Sequence, residues 1–482
     1  MAVAVIESRS ARHEGLSLFV VVVGVLIAAV DTTIVVLALP EIQRDLQVGV
    51  ASIIWVIIGY LLVITLLATQ FGRLGDMYGR ERMYRSGFLI FVLGSLLCAL
   101  SWNEASIIGF RVVQGLGGAL IAANSGAVIA DIFPPERRGR AYGFNAIGWS
   151  IGAVLGVVLG GVIVTYFSWR WIFWINVPIG LLAFVIALRV LPDRGERERR
   201  HLDIVGTLVL GMALFGVLWG ITKLTSEPLN GTIIAYVAAG FVLLLLFGYV
   251  ETHQKSPMLD LHLFAIKGMT ASLLASLLQA LANFAVLYLL LMYLQGVRGL
   301  NPLQASLLLV PGYIVGAAAA PFGGRLADSL GPVTPATVGL GIQIVALLIY
   351  ARLGVGSPLS VLSGAYVIGN VGSGGFFPAN NAAVMKIAPP GNFGVASGML
   401  RTFANIGMVF SFASAIVIAS ATVTRAQAFA IFVGAERLTP ATGAAFTAGI
   451  HEAFYFSVVL MLVAAALSAS RLLARSKRLQ AS

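Results

Sequence analysis

The feature that most constrains this chain is a succession of fourteen stretches of about twenty apolar residues, separated by short polar connections. A bilayer core about 30 Å thick takes about 20 helical residues to cross. Lipid offers no partners to the backbone, so helices or closed barrels are the only spanning structures. The stretches fall at 16–38, 52–71, 84–101, 105–129, 142–164 and 171–190, then 203–223 and 231–250, then 270–294, 303–321, 334–353, 360–385, 394–420 and 450–473. With 59% of its 482 residues hydrophobic and only 11% charged, the chain lacks the polar surface of a soluble domain. The expected fold is an all-α polytopic membrane protein with 14 transmembrane helices. The first run, from Leu16 to about Leu39, is too long for a signal-peptide core and reads as a retained helix.

Basic residues test the count independently, because one missed crossing would invert the loop bias from that point onward. With both termini cytoplasmic, 22 Lys and Arg fall in inner segments and 7 in outer ones, which leaves Arg111 and Arg401 within helices. The net charge of +11 is therefore topological. It predicts membrane lipids as partners and no nucleic acid. The single cysteine, Cys98, excludes an intrachain disulfide and Cys-based metal sites, and five scattered histidines suggest no metal centre. No phosphate-binding Gly-x-x-x-x-Gly-Lys-Ser/Thr loop and no nucleophile, base and orienter set occurs, so an enzyme is not expected.

An internal repeat follows the second stretch of each six. Gly72-Arg73-Leu74-Gly75-Asp76-Met77-Tyr78-Gly79 aligns with Gly324-Arg325-Leu326-Ala327-Asp328-Ser329-Leu330-Gly331, and the pairs Gly59-Tyr60 and Gly312-Tyr313 precede the two copies at nearly equal distance. The expected organisation is a cytoplasmic tail over 1–15, a six-helix bundle over 16–190 and a charged cytoplasmic loop over 191–202. Two inserted helices over 203–250, a linker over 251–269, a second six-helix bundle over 270–473 and a tail over 474–482 follow. Parallel repeats of this kind are a transporter architecture, with a substrate site near mid-membrane where the repeats meet.

Several residues carry chemistry. In the repeated loop, Gly72 and Gly79 permit a tight turn, and Asp76 can accept hydrogen bonds from an arginine or a helix N-terminus. Gly72, Arg73, Asp76, Gly79 and Arg80, with Gly324, Arg325 and Asp328, are thus candidate gating residues, the alternative being a plain basic turn. Asp31 lies inside the first apolar stretch, where a carboxylate costs about 2.5–3.5 kcal/mol unless paired, wet or protonated. Burial favours its neutral form and a nearby arginine its charged form, so it is a candidate proton carrier. The other reading is a carboxylate that snorkels to the outer interface, nine residues before Pro40. Arg111, always ionised, requires a carboxylate or several carbonyls, and Asp31 is the candidate partner. Asp131 fits a cap or a salt bridge. Gly148, Gly152, Gly156 and Gly160 form a smooth stripe suited to close helix contact.

In the second half, Gly372-Ser373-Gly374-Gly375-Phe376-Phe377-Pro378-Ala379-Asn380-Asn381 is either a broken, cavity-lining segment or a closely packed one. Gln279, Asn283, Tyr288, Phe376, Phe377, Asn380, Asn381, Arg401 and Asn405 are candidates for a substrate cavity. The 421–449 segment reads as a long outer loop.

The loop 72–82, the segment Asp31 to Pro40, Arg111-Val112-Val113-Gln114-Gly115, the glycine stripe, and Trp169-Arg170-Trp171-Ile172-Phe173-Trp174-Ile175-Asn176-Val177-Pro178 together resemble the major facilitator superfamily. Within it they resemble the 14-helix drug:proton antiporter family, over nearly the whole chain. Val36 stands where that family has Asn, and Val157 where it has Pro. The resemblance implies an antiporter helix at Gly148 to Gly160 and proton coupling through Asp31 and Arg111. It also implies export of small hydrophobic or cationic compounds by alternating access, driven by the proton gradient without a cofactor, by a monomer in the inner membrane. Alternatives are a carrier for an endogenous solute such as a lipid, siderophore or metabolite and, remotely, a membrane-embedded enzyme or sensor.

Overall fold

A computed structural model describes residues 2–191, 201–254, 257–259, 261–266, 268–389, 393–424, 427 and 440–479. All the regular structure there is helical. The first six spans are α1 (Ala2–Leu46), α2 (Trp55–Tyr78), α3 (Arg80–Ala99), α4 (Glu104–Ile132), α5 (Pro135–Tyr166) and α6 (Trp171–Val190). The inserted pair is α7 (Ile204–Lys223) and α8 (Gly231–His253). The last six are α9 (Met269–Val297), α10 (Pro302–Leu330), α11 (Val333–Tyr350), α12 (Leu359–Ile387), α13 (Phe393–Ser420) and α14 (Pro440–Leu479). Among the described residues thirteen helices are long and apolar enough to cross a membrane. The fourteenth crossing is α12, whose glycines and asparagines lower its hydropathy while its 29 residues exceed the required length.

The chain forms two compact units, residues 1–48 with 55–207, and residues 49–54 with 208–482. In the first unit α3 packs on α4, α1 on α5, and α2 on α4; in the second α11 packs on α12, α9 on α13, and α10 on α12. The pairing is the same in the same order, which extends the sequence repeat to helix packing.

Local chemistry sets the helix ends. At α4, Asn103 Oδ1 accepts from the Ser106 N–H at 2.8 Å, and Ser106 Oγ accepts from the Asn103 N–H at 3.0 Å. At α10, Asn301 and Gln304 make the same reciprocal box, with Pro302 as the first helical residue. Gly79 and Gly331, which close the two copies of the repeated loop, have φ of +106° and +82°, a region that penalises any Cβ.

Several helices differ from the sequence expectation in their ends or their continuity, and α12 decides between two readings. Expected to stop near residue 38, α1 continues through Pro40 to Leu46, and its helical backbone extends into the tail expected at 1–15. A proline removes one hydrogen bond, and packing on both sides of it outweighs that loss. Helix α9 is segmented, with regular helix at Met269–Asn283 and Val286–Met292 and a wider turn over Tyr293–Val297. At the break the Ala285 N–H is satisfied by Ser411 Oγ at 2.9 Å. By contrast α12 is unbroken through Pro378, so its glycine-rich stretch serves close packing: a Cβ on Gly372 would lie 2.6 Å from the Gly339 carbonyl oxygen. Finally, α14 starts at Pro440, ten residues before the expected start at 450, and runs into the expected tail. The rest of the expected outer loop falls largely on residues 428–439, outside the described ones.

Candidate functional site

The interior of the first unit holds a carboxylate and a guanidinium in direct contact. Asp31 of α1 is 0% exposed and Arg111 of α4 is 1% exposed, and Arg111 Nη1 donates to Asp31 Oδ2 at 2.6 Å. The reading of Asp31 as a snorkelling interfacial residue is thereby excluded. The helix that carries it runs fifteen residues further, to Leu46.

Neutral groups complete the site. Gln114, one turn after Arg111 on the same face of α4, accepts from Arg111 Nη1 at 2.6 Å through Oε1. Its Nε2 donates to Asp31 Oδ1 at 2.8 Å and to Ser95 Oγ of α3 at 2.7 Å. Asn176 Nδ2, in the first turn of the longer segment of α6, donates to Asp31 Oδ1 at 3.3 Å. Arg111 Nε donates to the Val56 carbonyl of α2 at 2.8 Å, and its guanidinium lies 4.2 Å from the centre of the Tyr60 ring. Five helices thus converge on one ion pair. Such burial is tolerated because every polar contact is charge-assisted or part of a connected network. Gln114, Asn176, Ser95 and the Val56 carbonyl were not among the sequence candidates. The spacing of Arg111 and Gln114 was the available signal for one of them.

The glycine stripe sets the position of the helix bearing Asp31. A Cβ on Gly148, Gly152, Gly156 or Gly160 of α5 would meet α1 at Val22, Leu26, Val30 with Thr33, or Ile34, respectively. Each step advances four residues on both helices, and at Gly152 the Leu26 carbonyl oxygen would lie 2.6 Å away.

At the inner ends of α2 to α4, Arg80 joins two carboxylates. Its Nε and Nη2 each lie 2.9 Å from Asp76 Oδ1, and its Nη1 lies 2.7 Å from Asp131 Oδ1. Asp131 is therefore in a salt bridge, as its place in the sequence suggests. Gly75 packs where a Cβ would collide with Asn124, and Gly72 has open space around it. In the second copy Arg325 and Asp328 are exposed, Arg325 lies over the Phe322 ring, and no ion pair joins either residue to another among the described residues. Gly324 is likewise open.

The cavity candidates sit in different surroundings. Gln279 is buried and donates to Gln343 Oε1 at 2.8 Å, and Asn380 is buried between the Ser272 carbonyl at 3.1 Å and Arg471 Nη1 at 3.2 Å. Phe376 is buried and Tyr288 packs edge-on to Phe412, whereas Phe377, Asn283 and Asn405 are half-buried. Asn381 and Arg401 are exposed. Trp169 is buried, with Nε1 donating to Asp45 Oδ2 at 3.0 Å. Among the described residues no cluster of three His, Cys, Asp or Glu side chains could hold a metal.

Comparisons with known proteins agree with this architecture. The chain is 30% identical over 395 residues to the tetracenomycin C resistance and export protein of Streptomyces glaucescens, covering 81% of this chain and 73% of that one. It is 29% identical over 396 residues to the riboflavin transporter RibZ of Clostridioides difficile, covering 82% and 86%. A crystal structure of a bacterial homologue of the human lysosomal transporter Spinster, inward-facing and unoccupied, has the same fold, with a TM-score of 0.67 at 17% identity over 95% of this chain and 96% of that one. The Major Facilitator Superfamily profile matches residues 21–412, and the chain, a multi-pass membrane transporter and not an enzyme, belongs to that superfamily.

Proposed function

We propose that this transporter is a proton-coupled exporter of small hydrophobic, often cationic compounds, working as a monomer in the cytoplasmic membrane without a cofactor. The observation that carries the reading is the fully buried pair Asp31–Arg111. Ionised, Asp31 ties α1 to α4 and α6 through Arg111, Gln114 and Asn176. A proton on Asp31 removes the counter-charge of Arg111, which then rests on the Val56 carbonyl, Gln114 Oε1 and the Tyr60 face. The tie among three helices is thus weakened by one proton. A cationic substrate that favours the conformation with Asp31 ionised competes with that proton, directly or through conformation, and the competition is reciprocal. The similarity to a resistance and export protein supports the substrate class and the direction.

A second reading, a carrier for an endogenous solute, is favoured by the similarity to a riboflavin transporter. Both are tested in proteoliposomes with an imposed pH gradient. The proposal predicts dye accumulation driven by the gradient, abolished by a protonophore and by Asp31→Asn. Dye movement indifferent to the gradient contradicts proton coupling, and riboflavin transport without dye transport establishes the second reading.

A further inference from the structure

Among the described residues, every hydrogen bond of the Asp31 carboxylate is one that it accepts. Its Oδ2 takes the Arg111 bond, and its Oδ1 takes one from Gln114 Nε2 at 2.8 Å and a longer one from Asn176 Nδ2 at 3.3 Å. That arrangement suits an anion and leaves a carboxylic acid without an acceptor for its O–H. A buried hydroxyl with no acceptor is costly, so one neighbour has to change its role when Asp31 takes up a proton. The two amides differ in their freedom to do so. Gln114 is fully engaged: its Oε1 accepts from Arg111 Nη1 at 2.6 Å and from the Cys98 thiol at 3.7 Å, while its Nε2 donates to Asp31 and to Ser95. The side chain of Asn176, 1% exposed, makes only the single long bond, and its Oδ1 accepts nothing among the described residues.

The break in α6 lies beside this amide. Regular helix runs over Trp171–Trp174 and again over Asn176–Val190, and Pro178 has no N–H to offer the Trp174 carbonyl. A change at Asn176 therefore acts at the joint between the two segments. Tyr60 of α2, over the Arg111 guanidinium, and Cys98 of α3 are the other titratable side chains at the site. Helix α5 carries none between Tyr142 and Tyr166, and α6 none between Arg170 and Arg189.

We propose that Asn176 is a positioning residue that senses the proton on Asp31: its amide donates to the carboxylate and turns over to accept from the carboxylic acid. The proton enters on Oδ1, the Asn176 N–H leaves it, and Asn176 Oδ1 takes the new O–H bond. Gln114 stays on Arg111 throughout. One proton thus exchanges an ion pair between α1 and α4 for a hydrogen bond between α1 and α6, delivered at the break in α6. The inference rests on the proton-coupled reading of Asp31.

The test is infrared difference spectroscopy of the purified protein titrated with pH, in which the carbonyl band of the protonated Asp31 carboxyl is identified by its absence from Asp31→Asn. In wild-type protein isotope-labelled at the asparagine side-chain carbonyl, an asparagine band is expected to move to lower wavenumber with the same pH midpoint as the carboxyl band, because a carbonyl that begins to accept a hydrogen bond is weakened. Asn176→Leu fills similar space with neither donor nor acceptor. It is expected to lower the midpoint of the carboxyl band by about one pH unit, a tenfold loss of proton affinity. A fixed donor gives the opposite sign, since its removal destabilises the carboxylate and raises the midpoint. A silent asparagine label, or a midpoint that stays or rises in Asn176→Leu, overturns the proposal while leaving proton uptake by Asp31 intact. Absence of the carboxyl band from the wild type at every pH overturns the proton-coupled reading as well. The labelled wild type carries no substitution, so the first arm is independent of how the variant folds.

Discussion

Arg111 directs three kinds of contact from one planar group: an ion pair to Asp31, hydrogen bonds to the Gln114 amide and the Val56 carbonyl, and a stacked approach to Tyr60. A lysine offers a point charge on a shorter stem and cannot reproduce the fork. Arg111→Lys is therefore expected to fold and reach the membrane but to transport at least tenfold more slowly, whereas Arg111→Ala, which strands a buried carboxylate, is expected to cost about 3–5 kcal/mol of stability. Transport rates and thermal unfolding in detergent check the two effects separately; wild-type rates in Arg111→Lys would show that only the charge matters. Asp31 and Arg111 were legible in the sequence because a charge inside an apolar stretch is expensive enough to require a reason. Gln114, Ser95 and Asn176 were not, since neutral polar side chains in membrane helices are common and satisfy themselves in many ways. Their role follows from which helices face one another, and only the folded unit supplies that.

Helix pairs differ in how closely their backbones approach, and this gives the glycine stripe of α5 a graded prediction. A Cβ would fall 2.6 Å from a backbone oxygen at Gly152 and 2.7 Å from one at Gly156, against 3.2 Å at Gly148 and 3.3 Å at Gly160. Backbone cannot rotate away as a side chain can. Gly152→Ala and Gly156→Ala are expected to lower stability by about 1–3 kcal/mol, as overpacked cores do, and Gly148→Ala and Gly160→Ala by clearly less; equal thermal shifts at all four sites would refute the ranking. The two repeated loops also differ. Asp76 shares Arg80 with Asp131, while Asp328 is exposed, so Asp76→Asn is expected to slow transport about tenfold or more and Asp328→Asn less than about twofold. Comparable losses would mean that the second copy is engaged in the transport cycle. Helix number and order were legible from apolar length and basic residues. Helix ends were less so: Pro40 resembles a stop signal that tertiary packing overrides, and the break in α9 is stabilised by Ser411, far away in sequence.

The two units repeat the same helix pairing with different chemistry. In the first, Tyr60 of α2 faces Arg111 of α4; in the second, the equivalent Tyr313 of α10 faces Tyr366 of α12, with ring centroids 5.6 Å apart. The ion pair at this position is thus confined to one half of a duplicated scaffold. Duplication was legible in the sequence through the loops at 72–79 and 324–331, but this asymmetry was not, because the paired positions belong to helices whose contacts the repeat does not specify. Under the proposed function, substrate and proton meet through the first unit, and the most direct measurement is proton release on adding a cationic dye to the purified protein under weak buffering. Release from the wild type and none from Asp31→Asn is expected, with dye binding retained in both. Equal release from the two proteins, or dye binding without release from the wild type, would contradict it.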